Sequence, residues 1–137
     1  MTTHLGSSWR HALIAATLLA SYGTATAHHS FALYDLNERV TVEGIVLQYT
    51  WSQPHIWIDV MVPQPNGEAV RWGMESQSPG ILSRRGWRHD SIKEGDHVIV
   101  ILRAMKDGTP GGQVLKVTLS DGRVFTTRQG EEDLAEE

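Results

Sequence analysis

Histidine is the residue type whose placement in this sequence could do chemistry. The chain has 137 residues with seven histidines and no cysteine, so a strong metal site can be built only from imidazole nitrogens and carboxylates. His28 and His29 are adjacent and directly follow Ala25-Thr26-Ala27, and His55 stands in the run Gln53-Pro54-His55-Ile56-Trp57. An A-x-A triplet is the kind of site at which signal peptidase cuts. Cleavage after Ala27 would make His28 the first residue. Its free α-amino group, ordinarily titrating near ~7.7–8.0, would then lie beside its own imidazole. That pair is a bidentate nitrogen chelate. A third nitrogen from a distant histidine completes a T-shaped set of tetragonal character, which suits Cu(II) better than tetrahedral Zn(II). His55 is the candidate third ligand, and His29 competes for the role. His89 and His97 flank a polar turn and are expected to be solvated.

The segment that creates this terminus is readable as an export leader. Arg10 precedes an uncharged run, Ala12 to Ala20, and no acidic residue occurs before the cut. Nine helical residues span roughly 14 Å, about half of a ~30 Å hydrocarbon core, so the run is a leader and not a membrane span. The expected location is the periplasm or the exterior. Removing 27 of the 137 residues leaves 110 and takes the formal charge from −4 to −5, because Arg10 is the only charged residue lost. This is the size of one domain. Without cysteine there is no disulfide framework and no thiol catalysis. The acidic balance speaks against a broad phosphate-neutralising face. The expected partners are therefore a small ligand, a cation or an envelope protein, with no nucleic acid and no membrane span after cleavage.

The elements that must position these residues are short strands. Arg39 to Trp51 is rich in β-branched and aromatic residues. Its apolar positions pass from Val40 and Val42 to Ile45, Leu47 and Tyr49, a change of parity that predicts a β-bulge centred on Gly44. His55 to Val62 alternates cleanly, with Ile56, Ile58, Val60 and Val62 on one face and His55, Trp57, Asp59 and Met61 on the other. Asn66-Gly67 signals a hairpin into a third strand, Ala69 to Glu75. Ser78 to Trp87 predicts a short helix, with Ser78 as cap, Pro79 at its first position and Gly86 at its exit. Strands at His97 to Met105 and Gln113 to Leu119 follow, with a short extension at Arg123 to Phe125. The predicted fold is all-β with one short helix, a five-stranded OB-like Greek-key barrel in the order β-β-β-α-β-β. The expected divisions are a signal peptide at residues 1–27, a mature N-terminal segment at 28–38, the barrel at 39–125 and an acidic flexible tail at 126–137.

In combination, His28-His29-Ser30-Phe31, Gln53-Pro54-His55-Ile56-Trp57, Arg85-Gly86-Trp87, the Asp90–Asp96 segment and Asp121-Gly122-Arg123 resemble a family of small exported bacterial proteins of unknown function. The resemblance runs from His28 to about Phe125. Members commonly have asparagine where this chain has Gln53, which leaves the Pro-His-x-Trp core intact. The resemblance implies export and a compact β-rich domain and brings no activity. A looser similarity, of architecture alone, is to periplasmic bacterial OB-fold proteins that bind small ligands or cations.

Four other residues are candidates for ligand binding. Trp57 and Asp59 share the strand face of His55 and could wall a pocket. Arg84 and Arg85 form a local basic cluster that could meet an anionic ligand or acidic partner, or simply be a solvated helix face. Asp59 and Glu75 are carboxylates on neighbouring strands with no nucleophile beside them, and no serine has a triad-like setting. The expectation is a non-catalytic exported binding protein, with copper as the candidate ion at His28, His29 and His55. The alternative is a metal-free module that binds a ligand or protein of the envelope. A copper-dependent oxidase is a third reading, for which so small a barrel offers little substrate platform.

Overall fold

The structure, a computed structural model, describes residues 33–128. The elements are six strands, β1 (Val40–Thr50), β2 (Trp57–Pro63), β3 (Ala69–Glu75), β4 (His97–Ala104), β5 (Gly111–Leu119) and β6 (Val124–Thr126), and one short helix, α1 (Pro79–Ser83). β1 pairs with β2 on one side and β4 on the other, and β2 and β4 extend to β3 and β5. A parallel pairing of β3 with β5, Gly73 to Gly111 through Glu75 to Gln113, closes the sheet into a five-stranded barrel. With the helix between β3 and β4, this is the predicted OB-like topology. β6 is an antiparallel addition to β5.

The alternation in β2 places its side chains as predicted: Ile56, Ile58, Val60 and Val62 are buried, while Trp57 faces outward. They pack with Met74 of β3, Val98, Val100 and Leu102 of β4, and Val114 and Val117 of β5.

The bend of β1 lies elsewhere than the sequence suggests. Val42, Gly44 and Val46 all face the core, so parity does not change at Gly44. The register with β2 slips between Val46 and Gln48, making Leu47 the bulged residue. Ile45 and Leu47 consequently face outward, at 42% and 39% exposure. Two outward aliphatic side chains imitated a core face in the sequence; pairing, not apolarity, decided the register. Gly44 has a different task. A Cβ there would sit 2.2 Å from the Met61 carbonyl oxygen, so glycine lets β1 pass close over β2.

The helix is shorter than expected and is not capped by the Ser78 side chain; the Ser78 carbonyl accepts from the Ile81 and Leu82 N–H groups instead. Its exit follows the expectation for Gly86, which has φ 87°. Gly86 N–H donates to Ser83 O and Trp87 N–H to Leu82 O, a Schellman pattern. This turn delivers the Trp87 ring into the core beside Leu82, both fully buried, and the Trp87 Nε1–H donates to Thr126 O at 2.9 Å. Ordered packing passes the expected end of the barrel by two residues: Thr127 is buried, with hydrogen bonds to Leu115 and Val114 carbonyls.

Candidate functional site

His55 follows a cis Gln53–Pro54 peptide and precedes the first residue of β2. Its Nδ1–H donates to Oε1 of Glu75, the last residue of β3, whose cross-strand neighbour is Trp57. The Tyr34 hydroxyl donates to the other oxygen of the same carboxylate, Oε2. Three segments far apart in sequence thus meet on one acid.

Tyr34 is held there by its backbone as well. It bridges to Met105, while Asp35 N–H donates to Ala104 O at 2.9 Å and Lys106 N–H to Leu33 O at 3.0 Å. The segment before β1 is therefore strapped along the end of β4, and the Tyr34 side chain is buried beneath it at 7% exposure. Burial first, then the Glu75 hydrogen bond and charge, push the Tyr34 hydroxyl above its ordinary pKa, so it remains a donor. An imidazole whose Nδ1–H is committed to a carboxylate presents Nε2 as the ring nitrogen that can ligate. A carboxylate behind a histidine is the arrangement that orients metal-binding imidazoles and raises their basicity.

The other candidates fall in three places. Trp57 is 43% exposed on the outer face of β2, next to Glu75 across the strand. Asp59 shares that face, but its carboxylate is engaged by Arg71, with Nε to Oδ1 at 3.1 Å and Nη2 to Oδ2 at 2.9 Å. Arg84 and Arg85 follow α1, exposed, and neither side chain has a hydrogen bond or ion pair with β2. His28 and His29 lie outside the described residues. Among the described residues, no three histidine or acidic side chains cluster so as to hold a metal. His97, expected to be solvated, is half-exposed and pairs through Nε2 with Glu43 Oε1 at 3.0 Å.

Glu75 and Tyr34 are the residues that sequence reasoning did not assign to the site. The outward parity of Glu75 was readable from β3, but its meeting with His55 depends on the β2–β3 register. Tyr34 gives no local signal at all.

The sequence matches the Family of unknown function (DUF6152) over residues 15–114. The chain belongs to the DUF6152 family. That match includes the Pro-His-x-Trp run and Glu75, and it extends upstream through Ala25-Thr26-Ala27. No curated protein matches the chain. Among solved structures, Rim1, a mitochondrial single-stranded DNA binding protein of S. cerevisiae, is similar at 13% identity and TM-score 0.47, over 63% of this chain and 97% of that one. The exclusion of nucleic acid drawn from the acidic composition is corrected: Rim1, to which this chain is similar, is a single-stranded DNA binding protein. Net charge constrains the surface average and does not exclude a local binding face. Among the described residues no helix is long and apolar enough to cross a membrane.

Proposed function

We propose that this protein is an exported, non-catalytic binding protein of the bacterial envelope that captures Cu(II) at its processed N-terminus. The observation that carries the reading is the shared carboxylate: Tyr34 and His55 both donate to Glu75. His28 lies six residues before Tyr34, a length of chain that can reach up to about 20 Å when fully extended. In this reading, cleavage after Ala27 exposes the α-amino group of His28. That amine and its own imidazole supply two nitrogens, and His55 Nε2 supplies a third, with His29 as the competing donor. Three nitrogens in a T-shaped array favour Cu(II). The apolar leader, the A-x-A site and the extension of the family match across it support export.

The experiment compares protein beginning at His28 with protein carrying one additional residue ahead of it. Cu(II) titration followed by electron spin resonance should give nitrogen-rich tetragonal spectra and tight binding for the first form, and binding at least about tenfold weaker for the second. His55→Ala should weaken the first form and leave the extended form little changed. Equal tight binding by both termini would sink the proposal, because the α-amino chelate would then contribute nothing.

A further inference from the structure

We infer that the first half of β1 is a docking edge for an extended polypeptide segment, which adds to the barrel as a short strand alongside Val40–Gly44. β1 pairs with β2 only from Ile45 onward, whereas Val40–Gly44 pair with β4 alone. The reason for the break lies in β2. Continued past the Ile45–Met61 pair, the register would set Glu43 opposite Pro63 and Thr41 opposite Pro65. Proline has no N–H, so neither residue can return a hydrogen bond to β1. The chain turns away instead, with Gln64 N–H donating to Glu68 O at 2.8 Å and Gly67 N–H to Gln64 O at 3.0 Å. A groove of about 520 Å³ is left between the two strands.

The edge of β1 forms one wall of that groove. Every residue from Val40 to Ile45 borders it, whichever face its side chain takes. Val46 N–H donates to Asp96 O and Val46 O accepts from Gly95 N–H, so the even-numbered residues of β1 turn their peptide groups toward β4. The ladder with β4 runs without a slip from Val40 to Ile45. By its two-residue alternation, Thr41 and Glu43 turn their N–H and C=O groups the other way, into the groove. Among the described residues these four groups have no backbone partner. Two donor–acceptor pairs about 7 Å apart repeat at the period of an extended chain, the pattern that strand addition recognises. Side chains around the edge narrow the choice of segment. In antiparallel addition, the residues bonded to Glu43 and Thr41 share their outer face, where the Glu43 carboxylate favours a basic residue opposite it. The residue between them shares the inward face of Val42, on the side of Val62, and is apolar. None of these positions belongs to the His55–Glu75–Tyr34 cluster, so the inference stands or falls independently of copper.

The probe is a capped hexapeptide, acetyl-Thr-Lys-Val-Thr-Val-Thr-amide, with two N-methylated forms. One is methylated at the lysine and the following threonine, whose N–H groups would face β1; the other is methylated at both valines, whose N–H groups would face away. With ¹⁵N-labelled protein, the unmethylated peptide should shift the amide cross-peaks of Thr41 and Glu43 saturably. The first methylated form should bind at least about tenfold more weakly, and the second about as well as the parent peptide. Thr41→Pro deletes one groove-facing donor without touching the β4 ladder, and should weaken the parent peptide about fivefold. Equal binding by the two methylated forms, or Thr41 and Glu43 peaks that the peptide does not move, would overturn the inference. So would peaks that move with protein concentration alone, since a second copy of the chain would then occupy the edge. The peptide comparison is read on the unmodified protein even if Thr41→Pro fails to fold.

Discussion

Glu75 receives hydrogen bonds from two side chains that lie 41 and 20 residues before it in the sequence, and its carboxylate oxygens are divided between them. Tyr34→Phe removes one donor and leaves the ring in place, so urea unfolding should show a loss of about 1.5–3 kcal/mol, the range for a hydrogen bond to a charged acceptor. Glu75→Gln tests the copper reading from behind the ligand. Substitutions of this kind behind a metal-binding histidine lower affinity by about 10–100-fold, and that is the expected change in Cu(II) titration. An unchanged affinity would detach Glu75 from the site. At this scale the sequence was partly legible. His55 and Trp57 stood out because a histidine and a tryptophan at a proline-marked strand entrance carry their own chemical meaning. Glu75 looked like any outward carboxylate, because its partners come from the strand register and from a strap that crosses the end of β4.

β1 shows how an element can be identified correctly and oriented wrongly in part. Its length and β-branched content announced a strand, and the need for a bend was visible in the apolar pattern. The position of the bend was not, since Ile45 and Leu47 are outward-facing aliphatics and the bulge falls at Leu47. Gly44 is better understood as a crossing point. Gly44→Ala should cost about 2–3 kcal/mol or more, because its methyl would meet backbone rather than a movable side chain. Gly80→Ala provides the contrast: it lies in α1 with no atom within 4 Å of the added Cβ, so it should be neutral or stabilising by up to ~1 kcal/mol. Thermal unfolding of the two variants beside the parent protein checks both signs.

At the level of the whole molecule, closure joins the site and the core. The parallel pairing of β3 with β5 brings Gly73 against Gly111, where a Cβ on Gly111 would lie 2.4 Å from the Gly73 carbonyl oxygen. That pairing also fixes the end of β3, and hence Glu75. Folding leaves a titration signature. Tyr34 and Tyr49 are both pushed above the ordinary value of 10.0, in each case mainly by burial. The folded chain therefore retains these protons to higher pH than the unfolded chain. Their contribution is complete below about pH 10 and declines as pH rises toward the folded values. The urea midpoint should fall between about pH 9 and about pH 11, and it should fall less in Tyr34→Phe.

The amino-acid sequence by itself determined the element order, the inward face of β2, the exit turn at Gly86 and the candidacy of His55. These depend on period-two alternation and on glycine's access to positive φ, properties that neighbouring residues settle among themselves. Tertiary structure alone decided that the bulge sits at Leu47, that Arg71 occupies Asp59, and that Tyr34 and His55 meet on Glu75. The first two require two strands to choose a register, since a shift of one residue would have turned those side chains to the other face. The third also requires the Tyr34 segment to be strapped to the end of β4.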